Sequence, residues 1–308
     1  MPCDIPQTEM LAIKAEPLAI KVMNRIHYQR QSGEFQQTLL KKQIKEDFIA
    51  VEEPLQISLS FYDLATQQYQ NRILTLTMRT PGDDDALIYG FLLCEGIIKQ
   101  KSDIERCEYK INEQTLNSNA VSVVLSKTVQ PNWKVIERQF TNHSSCGICG
   151  KTSLNALQLK SPPRNEENTT RIDINNIFKL PELLREHQAN FSQTGGLHAA
   201  GIFNNQQFDY IAEDVGRHNA VDKVIGLRCI NHNSTHNNNQ KMAILVLSGR
   251  ISFELVQKAI MANINIIVSI GAPSSLAISA AKQFDLTLIG FTKTDNFNVY
   301  HGDWRINK

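Results

Sequence analysis

Two cysteines three apart, Cys146 and Cys149, stand in the stretch His143-Ser144-Ser145-Cys146-Gly147-Ile148-Cys149-Gly150-Lys151. A helical pattern, Thr152 to Leu159, begins directly afterwards. Thiol chemistry runs through the thiolate, which a helix N-terminus and a nearby cation stabilise. Such settings lower a cysteine pKa from about 8.5 to between about 3.5 and 7.5. Gly147 and Gly150 let a partner approach the backbone closely. Three chemistries are open to such a pair. A zinc site wants four ligands, but Cys3, Cys94, Cys107 and Cys229 are scattered and only His143 is near, so no metal site is expected. A dithiol redox centre of the thioredoxin kind wants its CxxC after the first strand of a small βαβ domain, whereas this pair follows a whole α+β unit. The third is a nucleophile that takes a sulfane sulfur as a persulfide and gives it up again.

A second set of residues lies where open α/β sheets bind ligands, beyond the carboxyl ends of strands. Ser248-Gly249-Arg250 follows the apolar run Ile244 to Leu247, and Gly271-Ala272-Pro273-Ser274-Ser275 follows Ile266 to Ile270. Each precedes a helical pattern, whose N-terminal N–H groups suit anions, and Arg250 adds a guanidinium. Neither loop is a Walker motif or GxGxxG, and each also reads as a plain tight turn; two in succession favour a phosphate-bearing ligand. Glu213 to Lys223 packs charge around one turn. There His218 and Asp222 are four apart on a predicted helix and can share a face, and Asp214 is placed to cap it. The alternative is a capped helix start with local ion pairs. His198 and His218 are candidates for proton transfer or ligand contact.

The elements that must hold these residues fall into three parts. Residues 1–46 read as a polar, partly disordered extension. Residues 47–140 read as an N-terminal α+β unit: strands at Phe48–Val51, Leu55–Leu59 and Ile73–Met78, a helix Ala86–Gly96, and strands at Ile104–Ile111, Ala120–Leu125 and Trp133–Phe140. Cys94 and Cys107 fall on apolar positions and read as core thiols. Residues 141–308 hold the CxxC loop and an α/β domain. Its helices are expected at Ile177–His187, Arg217–Leu227, Ser252–Asn263 and Leu276–Gln283, with strands at Phe208–Glu213, Ile244–Leu247, Ile266–Ile270 and Leu286–Ile289, giving a largely parallel or mixed sheet. Asn231 to Gln240 is low in complexity. His232 and His236 offer metal ligands there, but an inserted surface loop is the simpler reading.

The 308 residues carry a net charge of +1, with 42% apolar and 20% charged residues. That balance argues against nucleic-acid binding through a general basic surface. No signal-peptide pattern is present, and the longest apolar segment, Ala259 to Ala272, is too short and too polar to span a bilayer. Six mostly isolated cysteines do not make a disulfide framework, so a reducing, cytoplasmic setting is expected.

Taken together, the segments resemble the formate dehydrogenase accessory sulfurtransferase (FdhD) family. The resemblance rests on Glu52-Glu53-Pro54-Leu55, Arg79-Thr80-Pro81-Gly82, Gly90-Phe91-Leu92, Glu95-Gly96-Ile97-Ile98, Ser145 to Gly150, Thr194 to His198, Glu213 to Lys223, Ser248-Gly249-Arg250 and Gly271 to Ser275. It implies a cytidine deaminase-like C-terminal α/β domain behind a smaller α+β unit, and a homodimer. It implies a sulfurtransferase that accepts sulfur from a cysteine desulfurase as a persulfide on Cys146, with Cys149 as second thiol. The acceptor it implies is the molybdenum cofactor, Mo-bis(molybdopterin guanine dinucleotide), for formate dehydrogenase as client. The cofactor-binding segment of the family corresponds to Phe291, Thr292, Lys293, Thr294, Asp295 and Asn296, with Ser248, Gly249, Arg250, His198 and His218 beside it. This stretch departs from the family's glycine-and-arginine-rich form, keeping one cation, Lys293. A cofactor-carrying chaperone without sulfur transfer, or a dithiol redox enzyme, are the other functions the residues allow.

Overall fold

The computed structural model describes residues 19–32, 38–111, 118–133, 136, 170–204, 206–231 and 243–308. The CxxC loop with Cys146 and Cys149, the loop Ser161 to Asn168, and His232 and His236 lie outside the described residues.

The N-terminal unit is a four-stranded sheet in the order β4-β3-β6-β5. Its strands are β3 (Glu53–Asp63), β4 (Gln68–Arg79), β5 (Ile104–Ile111) and β6 (Ser118–Leu125). Only the β3/β6 pair is parallel. Alternate residues Leu55, Ile57, Leu59 and Phe61 point inward, as period-2 patterning requires, and pack on Leu87, Ile88 and Leu92 of helix α1 (Asp84–Cys94). Gly96 (φ +70°) lies just past the end of α1, in the left-handed region a helix terminus favours. Trp133 and Ile136, expected in a strand, have helical backbone instead, with Ile136 N–H donating to Asn132 O at 3.0 Å. Proline at 131 followed by Asn132 starts a turn better than it continues a strand.

Ahead of this unit, part of the expected polar extension forms a two-stranded antiparallel ribbon, β1 (Ile20–Ser32) with β2 (Thr38–Ala50). Its charged residues hide an alternation that the register makes plain: Val22 pairs with Phe48 and Ile26 with Ile44.

The C-terminal domain is a six-stranded mixed sheet in the order β13-β12-β11-β10-β8-β9. Strands β10 (Ile244–Leu247), β11 (Ile266–Ser269) and β12 (Thr287–Gly290) are parallel and every residue in them is buried. Strands β8 (His198–Asn204), β9 (Gln207–Asp214) and β13 (Asn298–His301) run antiparallel to their neighbours. Alternation sorts the parallel strands into two cores. Leu245, Leu247, Ile267 and Leu288 pack on helices α4 (Arg217–Asn231), α5 (Phe253–Met261) and α6 (Ser275–Gln283). Ile244, Val246, Ile266, Val268 and Ile289 pack on Ile177, Leu180 and Leu184 of α2 (Ile174–Glu186). A short helix α3 (Ala189–Thr194) and a two-residue strand pair, β7 (Ile172–Asp173) with β14 (Ile306–Asn307), complete the domain.

Two glycines join the halves. A Cβ on Gly90 of α1 would stand 1.8 Å from Asp222 O, and one on Gly226 of α4 would stand 1.8 Å from Ala86 O. The two helices therefore cross backbone against backbone, which only glycine allows at that separation. This fixes helix α1 of the N-terminal unit against the middle of α4.

Candidate functional site

The carboxyl ends of the three parallel strands collect most of the residues expected to bind a ligand. β10 runs into Ser248-Gly249-Arg250 and then to Ser252, the residue before α5. β11 runs into Gly271 to Ser274, whose hydroxyl accepts from Ala277 N–H at 3.2 Å and caps α6. β12 runs into Phe291 to Asn296.

These loops are tied to one another. The Ser269 hydroxyl donates to Gly249 O and accepts from Gly271 N–H at 3.0 Å. A Cβ on Gly271 would meet the Gly249 carbonyl and the Arg250 nitrogen at 2.6 Å, so glycine is what lets the two loops touch. Phe291 N–H donates to Gly271 O and Thr292 N–H to Ser269 O, both at 3.1 Å. Thr292 is buried, while Phe291, Lys293, Thr294, Asp295 and Asn296 are exposed. Asn296 Nδ2 donates to Asp295 Oδ1 at 2.7 Å and Asn296 O accepts from Lys293 N–H at 2.8 Å, closing a compact turn.

Because β8 runs antiparallel to β10, its first residue arrives at the same edge. Ser248 Oγ accepts from Ala199 N–H at 2.9 Å, and the His198 ring lies beside Gly249. His198 pairs with Asp214 at the end of β9, which brings in the turn Asp214-Val215-Gly216-Arg217-His218. The His198 pKa is lowered by burial first and then by the nearby Arg217 and Arg250 guanidiniums, with Asp214 pulling the other way. Burial and the two guanidiniums together favour the neutral imidazole. His218 Nε2 lies 3.3 Å from Ser252 Oγ and 4.0 Å from Glu254 Oε2. Burial works against the Glu254 carboxylate, but the Ser252 hydroxyl, with His218 and Arg217, outweighs it and lowers the pKa.

The expected meeting of His218 and Asp222 does not occur. Asp222 turns inward and accepts from Lys258 Nζ at 2.7 and 2.9 Å, with both groups buried. Burial raises the Asp222 carboxyl to about 6, more than Lys258 lowers it; burial also opposes the Lys258 ammonium, but Asp222 outweighs that and raises its pKa. Asp214 is not a simple helix cap. Its carboxylate is completely buried and accepts from Gly216 N–H (2.8 Å), Thr80 N–H (3.1 Å) and Asn219 Nδ2 (3.2 Å), and pairs with Lys223 Nζ at 2.9 Å.

Thr80 and Arg79 were not expected to matter to the site, yet they seat it. Thr80 O accepts from Lys223 Nζ at 2.8 Å and its hydroxyl accepts from Val215 N–H at 3.1 Å. Buried Arg79 grips both oxygens of Asp84, at 2.9 and 3.0 Å. No local pattern signals the role of Thr80, because its partners are more than 130 residues away. Arg217 was missed as well. Its Nε is buried with no hydrogen-bond partner among the described residues, so its guanidinium has bonding capacity left for a ligand.

The described cysteines are poor nucleophiles. Burial pushes the Cys94 thiol well up, Cys107 to about 12, and Cys229 also upward, so all three are protonated at neutral pH. Cys94, 1% exposed, is a core thiol as expected.

The model of the FdhD/NarQ family matches residues 51–307, most of the chain. The chain belongs to the FdhD/NarQ family. Among its relatives, the protein named sulfur carrier protein FdhD in Streptomyces coelicolor is 39% identical over 268 residues, covering 85% of this chain and 90% of that protein. The protein of the same name in Sulfolobus acidocaldarius is 42% identical over 266 residues, covering 85% and 92%. The one in Sulfurisphaera tokodaii is 39% identical over 258 residues, covering 83% and 91%. A crystal structure from Desulfotalea psychrophila, described as a formate dehydrogenase accessory protein, superposes with a TM-score of 0.63 at 23% identity. The superposition covers 92% of this FdhD/NarQ chain and 99% of that one, a likeness of fold.

Proposed function

We propose that this chain is a sulfur carrier and sulfurtransferase for formate dehydrogenase, with Cys146 as its persulfide-carrying nucleophile. The Cys146 thiolate attacks the outer sulfur of a cysteine desulfurase persulfide, forming one S–S bond as another breaks and releasing the desulfurase thiolate. The terminal sulfur then goes, as the hydrosulfide that Cys149 expels, to the molybdenum of Mo-bis(molybdopterin guanine dinucleotide), a substrate here rather than a resident group, where it replaces an oxo ligand that leaves as water; a cellular dithiol re-reduces the cysteine pair. The cofactor's diphosphates lie against the cationic rim of Arg217, Arg250 and Lys293, with the loops 248–250, 271–274 and 291–296 around them. Cys149 is the second thiol of the loop; its attack on the inner sulfur of the persulfide releases hydrosulfide and leaves a disulfide. The C-terminal sheet is proposed to be cytidine deaminase-like, and the working protein to be a cytoplasmic homodimer. No described helix is long and apolar enough to cross a membrane.

The observation that carries this reading is the convergence of two guanidiniums and three strand-end loops on one edge, in a chain whose relatives are named sulfur carriers. The three described cysteines are all held as thiols, which leaves Cys3, Cys146 and Cys149 as candidates for the sulfur chemistry, and of these Cys146 and Cys149 form the CxxC pair. Incubation with a desulfurase and sulfur-35-labelled cysteine should label the chain, and Cys146→Ala should abolish the label. Full label on Cys146→Ala rejects the assignment. A Cys146→Ala chain that still restores formate dehydrogenase would instead favour a cofactor-carrying chaperone.

A further inference from the structure

Sulfur insertion as read above leaves one proton to be carried. Cys149 gives up a proton on becoming the attacking thiolate. The hydrosulfide it expels brings only one of the two hydrogens that the departing oxo ligand needs to leave as water. The proton lost in the first half is therefore the proton missing in the second, and a group that takes it up and hands it on closes the balance. An imidazole suits that task at neutral pH and a guanidinium does not. Two histidines stand at the strand-end rim, His198 and His218, and their surroundings differ.

His198 is a poor proton acceptor, because burial and then the Arg217 and Arg250 guanidiniums act against its cation, with Asp214 opposing them. His218 faces a carboxylate instead. Its Nε2 lies 3.3 Å from Ser252 Oγ and 4.0 Å from Glu254 Oε2, and its side chain is 37% exposed. Ser252 Oγ has a single hydrogen, which goes to the Glu254 carboxylate and helps to hold it ionised. Ser252 Oγ therefore accepts from His218 Nε2–H. The hydrogen-bond network thus assigns the lone pair of the neutral ring to Nδ1 and sets an ionised carboxylate where it stabilises an imidazolium. The charged groups about His218 are Glu254 on α5, Arg217 on its own turn, and Arg250 with His198 across the rim. Asp214, Asp222 and Lys223 of the same stretch face inward in ion pairs.

We infer that His218 is the proton carrier of sulfur insertion: its Nδ1 takes up the proton that Cys149 releases and delivers it to the oxygen leaving molybdenum. Hydrosulfide and imidazolium together furnish the two hydrogens of the water, no proton is left over, and the ring returns to its neutral tautomer. Ser252 and Glu254 are positioning residues that fix the tautomer and orient the ring. Arg217, next in the chain, keeps His218 beside the phosphates of the substrate. This role rests on the sulfur-carrier reading above and divides the two histidines: His198 stands among the phosphate-binding guanidiniums, His218 at the chemistry.

A single-turnover discharge of the full chain tests this. The chain is loaded with sulfur-35 by a desulfurase and labelled cysteine, freed of the desulfurase, and mixed with saturating Mo-bis(molybdopterin guanine dinucleotide) extracted from an enzyme that holds it. The label left on the chain, per label loaded, is followed with time. His218→Ala should discharge at least about 100-fold more slowly than the native chain, the lower end of what general acid–base catalysis supplies. Added imidazole should speed that variant and not the native chain, a rescue that a merely structural ring would not show. Ser252→Ala should slow discharge less, and Ser252→Thr, which keeps the hydroxyl, should restore it. The far-UV circular dichroism of His218→Ala should match the native chain; if it does not, His218→Gln takes its place, and should flatten the pH–rate profile of discharge. Discharge of the His218 variant at the native rate overturns the proton carrier and leaves the sulfur-carrier reading standing. Slow discharge that imidazole does not speed, or for His218→Gln a native pH–rate profile, overturns it in favour of a structural ring. A native chain that takes no label, or keeps it in the presence of the cofactor, overturns the sulfur-carrier reading and this role together.

Discussion

Helix α4 and the turn before it hold two populations of charge that differ only in which way they face. Asp214, Asp222 and Lys223 look inward, are almost wholly buried, and have short partners: Lys223 with Asp214, Lys258 with Asp222. Arg217 and His218, from the same eleven-residue stretch, look toward the strand ends with Arg250 and His198. Burial divides the labour. A buried charge that loses its partner has no water to replace it, so the inner set is committed to holding the turn. In the outer set Arg217 Nε has no hydrogen-bond partner among the described residues, so this is the set a diphosphate can engage.

That division makes the largest predicted effect a structural one. Lys258→Met removes the only ion-pair partner of Asp222 among the described residues and should cost about 3–5 kcal/mol in urea denaturation, the range for breaking a buried pair. A loss under about 1 kcal/mol would mean the inner charges are not committed as argued. Next comes Gly226→Ala, which must push α4 off the Ala86 carbonyl. Overpacking of this kind costs about 1–3 kcal/mol or more, and it should loosen the turn carrying Arg217 as well.

Ser269→Ala sits between the two regions. It unfastens Gly249 O from Gly271 N–H, so a stability loss of about 1 kcal/mol is expected. Guanosine diphosphate affinity, read by calorimetry, should weaken several-fold as the two loops part. The smallest effect belongs to His198. Its folded pKa lies below the unfolded value of about 6.5, so in that window the unfolded chain holds the proton and the folded chain does not. Stability should therefore fall as pH drops through that window, and His198→Gln should flatten the slope. Bound diphosphate should raise the His198 pKa, visible as a shift in its imidazole proton resonances.

Much of the C-terminal domain is legible in the residues because its strands are continuous apolar runs ended by glycine or serine, as at Ile244–Leu247 and Ile266–Ser269. Strand β8 escaped notice because Ala199, Ala200 and Gly201 are small and carry no β-branched pattern, though they fill a buried position between β10 and β9. The ribbon escaped because lysines and glutamines dilute its alternation, which only the cross-strand register reveals. At the site, the loops after β10 and β11 announced themselves as strand–turn–helix junctions. The partition of charges within Glu213–Lys223 could not be read, because it depends on Lys258, Thr80 and Arg250, which only tertiary structure brings near.

The central claim, that the strand-end rim is built for the phosphates of a guanine dinucleotide, has a direct test. Isothermal titration of the full chain with guanosine diphosphate should give one site per protomer. Charge-assisted bonds of this kind contribute about 1.5–3 kcal/mol each, so Arg217→Ala or Arg250→Ala should weaken binding by roughly 10- to 150-fold. The unfolding free energy of either variant, read by urea denaturation, should change by less than about 0.5 kcal/mol, as for other substitutions outside the core. Equal affinity in native and variant chains, or no binding at all, would contradict the account.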